Sequence, residues 1–149
     1  MSVFPKDYSD ASLQSLPIGG LEYFSPDEEN GDLYILAMPI SKQIHNVISS
    51  STHNATMSVM DQEAERKLGR FGATDRNRAV FFGNWERIDD EAEIKRAERQ
   101  FAKYHKDAVE YFPGQGPHYA YWSRFKVDRI YWIGGFGEYV EPPFILFRD

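Results

Sequence analysis

The sequence predicts a mainly β chain with some helix, folded as a small antiparallel barrel with peripheral helices, and three observations carry that reading. Segments of strand character outnumber helical ones, and most connections between them are short, which disfavours parallel βαβ packing. Aromatic residues make up 15% of the 149 residues and charged residues 27%, a balance that excludes disorder and fits an aromatic interior. Closing the sheet on itself removes the exposed edges that a sheet of this size would otherwise leave. A chain of this length buries about two-thirds of its unfolded surface, so residues 1–149 are expected to form a single domain.

Taken in order, "LPIGGLEYF" (16–24) reads as a strand with a bulge at Gly19-Gly20, and "DLYILAM" (32–38) as a second strand, apolar on both faces. Asn30-Gly31 between them supplies the positive φ values a hairpin-type turn wants, so the two should pair antiparallel. Ser41 is placed to cap a short helix carrying Ile44, Val47 and Ile48 on one face. "ATMSVMD" alternates, with Met57 and Val59 opposite Thr56 and Ser58, as a half-buried strand does. Residues 62–77 are polar and broken by Gly69 and Gly72, and read as a long loop. "RAVFFGNWERI" (78–88) is a strand.

Asp89 or Asp90 then caps the strongest helix, "EAEIKRAERQFAKYH", whose Ile94, Ala97, Phe101 and Tyr104 form one stripe. "KDAVEYF" extends it until Pro113-Gly114 ends it. In "HYAYWSRFKV", Tyr119, Tyr121, Phe125 and Val127 face one way and Trp122, Arg124 and Lys126 the other; "RIYWI" pairs with this strand or extends it.

The net charge of −6 argues against nucleic acid as a partner, since neutralising phosphates needs a concentrated basic face. No window reaches the roughly 18 apolar residues of a membrane span. The absence of cysteine excludes disulfides, thiolate nucleophiles and cysteine-type zinc sites. His45, His53, His105 and His118 show no metal-ligand spacing, and no nucleophile elbow is present. The glycines of "RIYWIGGFGEY" follow a strand, but Pro142 and Pro143 come too soon for the helix a dinucleotide fingerprint requires. They read as the place where the chain reverses.

Two features could hold a ligand. Ser41 and Lys42 sit at a helix N-terminus, where free amides, the dipole and a lysine charge can bind phosphate; a helix cap followed by a solvated lysine is the plainer reading. The face bearing Trp122 and Arg124 could stack on and pair with an anionic aromatic ligand, or could simply be a solubilising exterior. Asn54-Ala55-Thr56 is a glycosylation sequon, which matters only in a secreted chain.

"LPIGGLEYF", "PISKQIHNV", "FGNWERI", "FAKYHKDAVEYFPG" and "WSRFKVDRIYWIGGFG", in this order, resemble the pyridoxamine-phosphate-oxidase-like flavin-binding split barrels, and within them the CREG-like branch and its fungal members. The resemblance implies a six-stranded antiparallel split β-barrel and a homodimer with ligand grooves at the subunit interface. It also implies that only "MSVF" of the first barrel strand is present. Lys42 matches a basic position of the family's phosphate-contacting segment, whereas Gln43 and His45 stand where histidine and arginine are common. The expectation is a CREG-like binding or interaction module without catalysis and with no cofactor. The alternative is an FMN-dependent oxidoreductase holding flavin through Ser41, Lys42, Trp122 and Arg124. With no signal segment in "MSVFPKDYSDASLQ", the chain as written is expected in the cytoplasm; a longer N-terminus would make it secretory or vacuolar and give Asn54 a glycan.

Overall fold

In the computed structural model, residues 1–61 and 76–134 are described in full and 144–146 as backbone. The 62–75 loop and the glycine turn from Gly135 onward lie outside the described residues. The strands are β1 (Ser2–Val3), β2 (Pro17–Ile18), β3 (Phe24–Pro26), β4 (Leu33–Ala37), β5 (Asn54–Met60), β6 (Asn77–Arg87), β7 (Tyr121–Gly134) and β8 (Phe144–Leu146). The helices are α1 (Lys42–Ser49) and α2 (Glu91–Tyr104), with a 3₁₀ helix at Lys106–Tyr111.

Six strands form one antiparallel sheet in the order β3-β4-β7-β6-β5, with β8 beside the second half of β7. This is the split-barrel strand complement expected from the sequence, but among the described residues the sheet is not closed: β3 and β5 end its strand path, and β8 flanks β7 off that path. β1 and β2 pair separately with each other, and the Met1 backbone bonds to Thr56 on the outer edge of β5. No helix of the described residues is long and apolar enough to cross a membrane.

β4 explains the two-layered core. Its period of two sends Tyr34 and Leu36 to one face and Leu33, Ile35 and Ala37 to the other, and all five are buried. The first pair packs with Ala97 and Phe101 of α2, with Phe112 and with Trp122. The second set packs with Ile44 and Val47 of α1, and with Trp85, Phe125 and Val127. Burying each of the larger of these side chains contributes about 1.5–3 kcal/mol.

α2 begins where the sequence placed it, because the Asp90 carboxylate accepts from the Glu93 N–H at 2.8 Å. Its stripe buries Ala97 and Phe101 with Ile94 packed alongside, but Tyr104 is 48% exposed and its hydroxyl donates to Glu28. Tyr104 stands at the last helical position, beyond the patch of sheet that α2 covers. β6 and β7 pair along their lengths with one register shift, between Phe82 and Gly83, that leaves Asp128 as the extra residue.

Three sequence expectations are corrected. Residues 16–24 are not one bulged strand: Pro17–Ile18 pair with β1, Phe24–Pro26 pair with β4, and Leu21 between them is fully exposed. Proline and the paired glycines interrupt the ladder, so each end finds its own partner. Between β3 and β4 only Gly31 takes a left-handed φ, 75°, with its N–H bonded to the Asp27 carbonyl. Finally, Trp122 and Arg124 do share a face opposite Phe125 and Val127, but α2 covers that face, leaving Trp122 only 2% exposed.

Candidate functional site

The open side of the sheet is where the elements leave room. A cleft of about 410 Å³ lies between the segment leading into β3, α1 and edge strand β5. Phe24, Ile44, Val47, Met57 and Val59 give it apolar walls, Trp85 of β6 contributes an indole, and Glu22 and Gln43 bring polar groups.

The local geometry follows from the start of α1. Ser41 occupies the N-cap position, yet its side chain makes no capping bond. Its hydroxyl donates instead to Glu22 Oε1 at 2.9 Å, and the Gln43 side-chain amide donates to the same oxygen at 2.5 Å. A carboxylate therefore stands at the positive end of the helix dipole, where an anion is favoured. Gly20 makes this possible: a Cβ there would come within 2.8 Å of Gln43 Cδ and closer still to its Nε2.

The residues singled out in the sequence do not converge. Ser41 borders the cleft through Glu22, but Lys42 is turned away, its Nζ lying 5.1 Å from the centroid of the Tyr8 ring. On the opposite face of the sheet, Trp122 stacks edge-on against Phe101 and Phe112, with its indole N–H directed at Glu98 Oε1 at 3.4 Å. Arg124 pairs with Glu93 of α2 and lies 4.0 Å from the buried Asp32. Burial is the largest single influence on its pKa and lowers it, but the contacts to Glu93, Asp32 and Tyr34 together outweigh burial and leave it raised. Asn54 is exposed at the first position of β5, as a glycan acceptor must be.

Sequence reasoning missed Glu22 and Trp85, and named Gln43 only as a position of the phosphate-contacting segment. Glu22 meets Ser41 and Gln43 across 19 and 21 residues, and no local periodicity signals such a contact. Among the described residues, no cluster of three metal-ligating side chains exists.

A family profile described as "CREG, beta-barrel" matches residues 7–142. No curated protein sequence matches the chain. Among solved structures, a heme binding protein from Mycobacterium smegmatis is similar with a TM-score of 0.68 at 15% identity, covering 89% of this chain and 48% of that one. The protein Atu2129 from Agrobacterium tumefaciens gives a TM-score of 0.61 at 14% identity, over 83% of this chain and 47% of that one. The General Stress Protein 26 from Bacillus anthracis gives 0.51 at 18% identity, over 89% and 81%. The chain thus spans about half the length of the first two, and likenesses at this level of identity show the fold alone.

Proposed function

The chain belongs to the CREG β-barrel family, and on that premise we propose that it is a binding or interaction module of the family without catalysis of its own. The observation that carries this reading is Glu22 at the start of α1. A flavin phosphate brought to that helix end would face a carboxylate already holding the Ser41 and Gln43 donors. Like charges at such a distance repel, and the donors cannot serve both anions. The positions of Lys42 over Tyr8 and of Trp122 and Arg124 beneath α2 support the same reading, since none of the three lines the groove that Ser41 borders.

The test is spectroscopic. Purified protein is expected to carry no flavin, and FMN titrated to micromolar concentration should leave flavin fluorescence unchanged. Lys42→Ala should shift stability by no more than about 1 kcal/mol, the size of an exposed cation–π contact, with no spectral consequence. Stoichiometric flavin in the purified protein, released by Lys42→Ala, would overturn the reading in favour of the flavin-dependent oxidoreductase.

The homodimer belongs to the same proposal. β5 is an edge strand bonded on its outer side to Met1 at Thr56, and exposed Leu21 and Met60 flank the cleft beside it. A second copy would cover both edge and apolar rim. Sedimentation as a monomer at micromolar concentration would contradict it.

A further inference from the structure

Both donors that hold Glu22, the Ser41 hydroxyl and the Gln43 amide, are neutral. Among the described residues no basic side chain pairs with this half-buried carboxylate, although it lines the cleft. The positive group whose charge it does feel is the Met1 amino group, which lines the same cleft and whose pKa is lowered by burial and raised by Glu22. Hydrogen bonds to one oxygen leave acceptor capacity on the other. Deeper among the lining residues, Trp85 is 5% exposed, and its buried indole N–H finds no acceptor among the described residues. A buried donor without a partner is costly and rare in a finished interior. Phe24, Val47 and Met57 supply apolar wall between these two polar demands.

These three features select an occupant. An anion is repelled by Glu22. A purely apolar molecule would desolvate the carboxylate and leave the indole unpaired. A metal ion would find one carboxylate where it needs several ligands, since no cluster of three such residues exists among those described. We propose that the cleft binds a small amphipathic amine: a protonated nitrogen on Glu22, an apolar body against Phe24, Val47 and Met57, and an acceptor atom for the Trp85 N–H. This rests on the reading of the cleft as a binding site that takes no flavin phosphate, and adds the chemical class of its ligand.

The experiment is a calorimetric titration of the full chain with 2-(7-methoxy-1-naphthyl)ethylamine and with 2-(7-methoxy-1-naphthyl)ethanol, whose methoxy oxygen supplies the acceptor and which share shape and differ in charge. The amine is expected to bind about ten- to a hundredfold more tightly, as a charge-assisted contact to a partly buried carboxylate requires. Glu22→Gln keeps an acceptor for Ser41 and Gln43, and should bring the amine down to the level of the alcohol. Equal affinities in the wild-type protein, or no binding of either probe at millimolar concentration, overturn the inference whatever the variant does. A parallel titration with FMN separates the two claims: FMN binding sinks the non-flavin reading, whereas equal binding of amine and alcohol without FMN binding sinks only the choice of ligand.

Discussion

Replacing Gly83 by alanine probes the point at which β6 and β7 lie closest. The register between the two strands shifts there, so that Phe82 faces Arg129 while Gly83 faces Val127. A Cβ on Gly83 would stand 2.9 Å from the Lys126 carbonyl carbon, closer still to its oxygen, and 3.2 Å from the Phe125 ring. Unstrained carbon contacts lie at about 3.5–4.0 Å. The obstacle is backbone in the middle of a sheet, so no side-chain rotation relieves it; either the strands part or the bulge resets. Overpacking an interior costs about 1–3 kcal/mol, and a backbone obstacle puts Gly83→Ala at or above the upper end, about 3 kcal/mol. Gly19→Ala is the control, because nothing lies within 4 Å of a Cβ there and its φ is not left-handed; it should be neutral or stabilise by up to about 1 kcal/mol. Urea unfolding followed by far-ultraviolet circular dichroism, with a shared slope, gives both values. A Gly83→Ala protein within about 0.5 kcal/mol of wild type, the range of an ordinary surface change, would refute the close approach and the bulge argued from it.

Gly20→Ala should behave differently, because the atom in the way is the mobile end of Gln43: stability should move by less than about 0.5 kcal/mol, while the Gln43 side-chain amide resonance shifts as it leaves Glu22. Phe101→Ala, at a fully buried position against Phe112 and Trp122, should cost about 3–5 kcal/mol in the same unfolding assay, and a loss below about 1 kcal/mol would place the stripe of α2 in solvent. Burial pushes the Tyr34 phenol from its ordinary value of 10.0 up to about 12, with Arg96 opposing and Asp27 adding to the rise. The folded state therefore holds that proton more tightly than the unfolded chain, so the stabilisation is full below pH 10 and is lost as pH rises towards 12; Tyr34→Phe should flatten that decline, and an unchanged pH profile would contradict it.

What the sequence disclosed and what it withheld divide along the range of the contacts involved. The apolar run of Leu33–Ala37, the strand at 78–88 and the aspartate cap before α2 are signals confined to a few neighbouring residues, and each stands close to where it was read. Alternation also placed Trp122 and Arg124 on one face correctly. It could not say that α2 lies over that face, because Arg124 looks the same in sequence whether it meets water or Glu93. The pairing of Pro17–Ile18 with Ser2–Val3, and of Glu22 with Ser41 and Gln43, depends on where separate elements come to rest. For the same reason the cleft had no signature: its lining comes from the N-terminal residues, the approach to β3, α1, β5 and β6 at once.

The start of α1 shows why belonging to a fold leaves the ligand open. The positive potential at a helix N-terminus comes from aligned peptide dipoles and unpaired amides, so it survives almost any change of side chain. Whatever anion the chain places there, internal or external, is stabilised by the same backbone. A chain that leaves the position empty and lines it with basic residues is suited to phosphate. In this one Glu22 lies close to that helix end and engages the Ser41 and Gln43 donors, so the same backbone field is directed at an internal carboxylate. The strand order and the two-layered core are indifferent to that choice, since neither Ser41 nor Glu22 contributes to them. Likeness at 13–18% identity therefore carries the fold and leaves the ligand of this site to be read from its own side chains.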